Sequence, residues 1–183
     1  MFAYDIKIPR ERIAVLIGSE GETKSLIEQQ TKTRIVIDSK EGDINVSGQD
    51  AVLLYAAQHI VKAIARGFNP DIALRLLKQD WAFELIDLTD YSTKQNHQQR
   101  LKGRVIGTQG RARAIIEELT DASISVYGKT VGIIAPVDTI GMAKQAVEEL
   151  LGGAQHAGVY KSLERKRRQL RMTSTLGTAP RED

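Results

Sequence analysis

The chain has 183 residues, 42% of them apolar and 27% charged, which gives room for one mid-sized domain or two small ones with separate cores. It has no cysteine, so disulfides and thiolate metal sites are excluded, and no apolar run approaches the roughly 18 residues a membrane span needs. The formal charge of +3 is uneven: residues 1–67 hold nine basic and nine acidic groups, residues 81–157 hold eight and nine, and residues 158–183 hold seven and three. The N-terminus lacks the layout of a signal peptide, so a cytoplasmic protein is expected.

In "FAYDIKI", Phe2, Tyr4, Ile6 and Ile8 alternate on one face, which predicts a strand closed by Pro9. Residues 12–17 form a short helix candidate ending at Gly18, and "ETKSLIEQQTK" opens a second helix with an acid in its first turn. "TRIVI" and "INVSG" read as strands around a "KEGD" turn. A long helix follows, with Leu53, Ala56, Ala57, Ile60 and Ile64 on its buried face and Gly67 as its stop. In "NPDIALRLLKQD", Asn69 caps and Pro70 opens a short connecting helix. "WAFELIDL" is the next strand, and the polar insert "TDYSTKQNHQQ" makes the following connection longer than its earlier counterpart. Then come a short helix, a Gly-Thr-Gln-Gly loop, the helix "RARAIIEELTD", the strands "SISVY" and "TVGIIA" about a Gly128-Lys129 turn, and a helix with Ile140, Ala143, Val147 and Leu150 inward. The basic tail could continue as a helix with Val159, Leu163 and Leu170 on one side, fraying after Met172; "TSTLGTAPRED" is expected to be disordered.

The chain matches itself at an offset of 89. Gly18 falls on Gly107, Gly21 on Gly110, Glu28 on Glu117, Thr31 on Thr120 and Ile35 on Ile124. A period this long implies a duplicated small domain rather than a solenoid. The expected units are 1–67, a connecting helix 68–80, 81–157, and a helical or disordered tail 158–183.

A lone G-x-x-G is weak, since about one arises by chance in a chain with this much glycine. Here both copies close a short apolar helix and open another, and both precede β-β-α. That order, with Val105-Ile106-Gly107-Thr108-Gln109-Gly110 in one copy and Leu16-Ile17-Gly18-Ser19-Glu20-Gly21 in the other, resembles the eukaryotic-type KH nucleic-acid-binding domain. The fold expected is α+β: two tandem βααββα units, each a three-stranded antiparallel sheet with helices on one face.

The loop chemistry suits a single-stranded nucleic acid. Glycine lets a sugar-phosphate backbone approach closely, and the next helix offers free N–H groups and a positive dipole end. The resemblance implies a groove for about four nucleotides. The RNA-binding candidates are Lys102, Arg104, Val105, Ile106, Gly107, Thr108, Gln109, Gly110, Arg111, Arg113, Ile115 and Ile124. In the first copy they are Ile17, Gly18, Ser19, Gly21, Lys24 and Arg34, but Glu11, Glu20 and Glu22 offset the basic groups there. Arg165, Lys166, Arg167, Arg168 and Arg171 are candidates for phosphate contacts from the tail; a solvated helical extension is the alternative.

Over residues 66–164 the likeness is narrower. "GFNPDIALRLLKQD", "LKGRVIGTQGRARAIIEELTDASISVYGKTVGIIA" and "LLGGAQHAGVYKSLE" resemble the archaeal and eukaryotic twin-KH factor of small-ribosomal-subunit maturation called partner of Nob-one. That resemblance implies binding of single-stranded small-subunit rRNA near its 3′ end. It also implies contact with the maturation endonuclease and with the alpha subunit of initiation factor two. No metal, cofactor or membrane is implied. "SVYGKT" lacks the first glycine of a P-loop, and His59, His97 and His156 lie in different elements, so no catalytic constellation emerges and a non-enzymatic binder is expected. A protein–protein scaffold, or another KH regulator of translation or RNA decay, stands as the alternative.

Overall fold

A computed structural model describes residues 1–176. The first repeat runs β1 (Phe2–Lys7), α1 (Arg10–Ile17), α2 (Glu22–Thr31), β2 (Thr33–Asp38), β3 (Asp43–Gly48) and α3 (Ala51–Ala65). A short helix α4 (Pro70–Ala73) and a 3-10 turn, Leu74–Leu77, lead into the second repeat. This runs β4 (Trp81–Asp87), α5 (Gln95–Ile106), α6 (Arg111–Thr120), β5 (Ser123–Tyr127), β6 (Thr130–Pro136) and α7 (Ile140–Leu151). Helix α8 (His156–Leu176) follows. Both sheets are antiparallel, ordered β1-β3-β2 and β4-β6-β5, so the expected βααββα order holds in each repeat.

Local chemistry explains the boundaries. The Asp50 carboxylate accepts from the N–H groups of Val52 and Leu53 and starts α3; Asn69 accepts from Asp71 N–H, with Pro70 at the first position of α4. The repeat reaches down to single hydrogen bonds. Glu28 accepts from Ile35 N–H and Glu117 from Ile124 N–H, both at 2.7 Å. Thr31 donates to Ile27 O and Thr120 to Ile116 O, both at 2.6 Å. The glutamate ties the second helix of each repeat to the strand that follows, and the threonine closes the last turn of that helix.

The first core is built on Leu16, Ile27, Ile35, Ile44, Leu54, Ile60 and Ile64, all essentially without exposure. The inward face of α3 differs from expectation: Leu54 and Val61 fill it, while Leu53 and Ala56 are half-buried. In the second core, Val105, Ile116, Val131, Ile133, Val147 and Leu150 are sealed, and Ile140 is half-buried. The polar insert is not merely a longer loop. Its end, from Gln95, becomes the first turn of α5, which has 12 residues against eight in α1.

The tail also departs from a solvated extension. Val159 and Leu163 of α8 are 2% exposed and belong to the second core, whereas Leu170 is exposed. The helix continues to Leu176, past the expected fraying point; the rest of the stretch expected to be disordered, residues 177–183, lies outside the described residues.

Helices cover one face of each sheet, but the second sheet is covered on both. Six of the seven residues of β6 are buried. Val131, Ile133 and Ala135 face their own helices, whereas Ile134 belongs to the core of the first repeat, joined there by Trp81 and Phe83. Phe68, just past α3, lies over Gly132, where an added Cβ would sit 2.7 Å from the ring. Ser125 donates to Arg66 O at 2.8 Å, and the Tyr127 hydroxyl donates to the Glu11 carboxylate. That bond holds the Glu11 carboxyl below its ordinary value, while desolvation first, and then the same bond, raises the Tyr127 phenol.

Gly132→Ala is therefore expected to destabilise the protein by about 1–3 kcal/mol through overpacking against Phe68, without loss of secondary structure. Urea unfolding followed by circular dichroism measures it.

Candidate nucleic-acid interface

Each G-x-x-G corner is a sharp reversal between two helices. Gly18 and Gly107 have φ of +76° and +74°, and Gly21 and Gly110 have +83° and +74°. The residue before the second glycine, Glu20 or Gln109, is also left-handed, at +51° or +54°. The two glycines have different reasons to be glycine. A Cβ on Gly107 would lie 2.6 Å from the Ala112 methyl, and one on Gly18 would lie 2.3 Å from the Thr23 hydroxyl. At Gly21 and Gly110 an added Cβ meets nothing within 4 Å. The first glycine lets the helices pack; the second leaves bare backbone facing open space.

Helix α6 begins at Gly110 with no side-chain cap and no acid in its first turn. Arg111 and Arg113 stand there, both exposed. Cations at a helix N-terminus oppose the dipole by about 0.3–1 kcal/mol each. An anion placed on the free N–H groups would reverse that sign. Helix α2 is also uncapped, but Glu22 occupies its first turn in the ordinary favourable manner. The corner is thus built twice and made ready for an anion once.

The structure sorts the remaining candidates. Ile106, Thr108 and Gln109 lie at the corner, half-buried or exposed, and so do Ile17 and Ser19 in the first copy. Lys102 and Ile115 are half-buried on the flanking helices, as is Lys24, while Arg34 is exposed on β2. Val105, with no exposure, and Ile124, with 5%, are core residues with little surface of their own. Arg104 is engaged elsewhere: its Nε donates to Leu150 O at 2.8 Å and its Nη2 to Ala154 O. In the first repeat Arg12 makes the same tie, to Ile64 O and Phe68 O at 2.8 and 2.7 Å. One arginine per repeat therefore locks the end of the closing helix onto the first helix, a role that adjacency to the loop disguised. The two arginines stand one helical turn apart in the repeat frame, which hid the equivalence in the sequence.

The tail cations divide similarly. Lys166 donates to Gln145 and Arg167 to Glu118 O, with Asp121 at 3.9 Å, so both fasten α8 to the body. Arg165 and Arg168 are exposed on its outer side, and Arg171 is exposed but engaged in an interaction of its own. Of the histidines, His156 hydrogen-bonds Arg104 O through Nε2 at 2.8 Å, and His59 packs between Tyr55 and Phe83, where burial first, then Lys62, lowers its pKa. Among the described residues no cluster of His, Asp and Glu could hold a metal, and no helix is long and apolar enough to cross a membrane.

Two βααββα units, each with a G-x-x-G corner between its first helices, define a tandem KH-domain protein. Residues 3–65 match the general KH-domain model, and residues 82–168 match the eukaryotic-type (type I) KH model of the second PNO1 domain. An archaeal KH domain-containing protein of Methanocaldococcus jannaschii is 45% identical over 170 residues, covering 91% of this chain and 74% of its own length. The pre-rRNA-processing protein PNO1 of Chaetomium thermophilum is 27% identical, covering 86% of this chain; the match spans 63% of that longer protein. Among solved structures, a chain of the a/eIF2alpha-aDim2p-rRNA complex of Pyrococcus horikoshii superposes with a TM-score of 0.84 at 45% identity, over 92% of this chain and 95% of its own. The chain belongs to the PNO1/Dim2 family of twin-KH proteins.

Arg104→Ala should cost about 1.5–3 kcal/mol of stability, because charge-assisted bonds to two carbonyls are lost. Arg111→Glu should instead raise stability by about 0.3–1 kcal/mol by complementing the dipole. Chemical denaturation of the unliganded protein reads both.

Proposed function

We propose that this protein is a ribosome-biogenesis factor that binds single-stranded rRNA from the 3′ region of the small subunit, chiefly through the second G-x-x-G corner. The carrying observation is the start of α6, uncapped, free of acids and flanked by Arg111 and Arg113. A phosphate at that point would accept from backbone N–H groups while Gly110 lets the strand come close. Ile106 and Ile115 supply the apolar margin for bases, and Lys102 a further cation. The names of the relatives agree: one processes pre-rRNA, and another was solved with rRNA and the alpha subunit of initiation factor two. The work proposed is binding, not catalysis.

The first corner takes the smaller share. Glu20 sits inside that loop and Glu22 in the first turn of α2, so a phosphate arriving there meets two carboxylates. Its acidic rim fits a protein contact better, and the alpha subunit of initiation factor two is the partner to try first.

Titration of a fluorescent single-stranded RNA carrying the 3′-terminal small-subunit sequence tests this. Gly110→Asp, which adds a negative side chain in open space, should weaken binding by about 10- to 100-fold with the fold intact. Gly21→Asp should cost less than about threefold. An unchanged affinity in Gly110→Asp rejects the RNA role of the corner, and equal losses reject the asymmetry. Arg111→Glu and Arg113→Glu should each flatten the log–log salt dependence by about 0.7.

A further inference from the structure

A cleft of about 670 Å³ opens where α5, the start of α6 and the start of α8 meet. Arg100, Gly103, Thr108, Arg111 and Tyr160 line it. Gly107 and Thr108 belong to both the cleft and the G-x-x-G corner, so the two are continuous. No residue of β5 contributes, which sets the cleft outside the apolar platform between the corner and the sheet. Its volume suits a nucleotide-sized group.

Four features give the cleft a chemistry. Arg100 and Arg111 are exposed and carry no hydrogen bond or ion pair among the described residues, and no carboxylate among those residues lines the cleft. Tyr160 is half-buried and lies edge-on to His156 at 6.1 Å, and His156 is itself anchored on Arg104 O, so an aromatic ring stands at the cleft beside an anchored neighbour. Gly103 sits inside α5, where glycine costs roughly 0.5–1 kcal/mol against alanine, yet an added Cβ would meet nothing within 4 Å. Packing gives no reason for that glycine, whereas close approach by a ligand does. Finally, the repeat provides its own comparison. At the offset of 89, Arg100 and Arg111 become Glu11 and Glu22, and Gly103 becomes Ala14. The same corner in the first domain has the opposite charge at those positions and a methyl where the second has none.

We propose that this cleft is a second RNA subsite, holding a nucleotide that flanks the segment clamped at the second corner. Arg100 and Arg111 take its phosphates, and Tyr160 stacks on its base. Stacking on an aromatic side chain is tolerant of base identity, so the subsite extends the grip on the strand rather than reading sequence. The proposal rests on the RNA-binding reading of the corner.

Two RNAs separate the two claims: one of about four nucleotides, filling the groove alone, and one of about twelve from the 3′ end of small-subunit rRNA. Two variants report on the cleft. Gly103→Leu fills it with a better helix former, and the pair Arg100→Gln with Tyr160→Ala strips its chemistry; circular dichroism verifies that both fold. Both should weaken the longer RNA by about tenfold or more and leave the shorter unchanged. Arg100→Gln alone should lower the salt slope on the longer RNA by about 0.7. If neither variant changes the affinity for the longer RNA while Gly110→Asp does, the subsite is overturned, and the cleft is a surface for something other than RNA. If Gly110→Asp changes neither RNA, the reading beneath the proposal has failed as well.

Discussion

A strand with six of its seven residues buried needs a cover on each side, and β6 finds its second cover in the other domain. The rest of the arrangement follows from that requirement. Ile134 enters the first core, Phe68 fits over Gly132, and the β5 edge is pinned by Ser125 on Arg66 O and Tyr127 on Glu11. A fully buried isoleucine contributes about 1.5–3 kcal/mol, so the contact is a shared core rather than a touching of surfaces. The two domains are consequently joined through one shared core.

The duplication was legible because it is written in residues with strict jobs. Glycines at positive φ, a glutamate that caps the next strand and a threonine that bonds back into its helix recur at one offset, and each recurs with the same geometry. The burial of β6 on both faces goes beyond the sequence reading: the expected sheet has helices on one face, and the second cover comes from the other domain. The fate of the cations was not legible. Arg104 lies three residues before the loop, and its chemistry would suit a phosphate equally well; only the helix azimuth, which aims it at the end of α7, assigns it to the fold. The burial of Val105 and Ile124 was not legible for the complementary reason. An apolar residue beside a loop can face outward or into the core, and one residue of helix rotation at Val105, or of strand alternation at Ile124, decides which.

The second corner also carries a small structural deficit. Arg111 and Arg113 oppose the dipole of α6, Gln109 adopts a left-handed backbone, and the α6 N–H groups have no side-chain cap. Each is mildly unfavourable in the free protein, and one anion would relieve them together. The first corner, with Glu22 in place, has less to gain. Functional sites commonly trade stability for such readiness.

The contact between the domains is head-to-tail: the back of the second sheet lies on the helical side of the first domain. Between near-identical units such contacts have no inherent end, and repeated indefinitely they make fibres. The first sheet shows how this pair terminates. Where β6 directs Thr130, Gly132 and Ile134 at its neighbour, the matching positions of β3 are Asp43, Asn45 and Ser47. Asn45 donates to Asp5 at 2.8 Å and Asp43 lies 3.4 Å from Lys7, so the outer side of that sheet satisfies its polar groups within itself. It has no isoleucine to insert and no glycine slot for an incoming ring. The outer side of the first sheet thus lacks the groups that seat one domain on the next, and among the described residues the head-to-tail contact is made once.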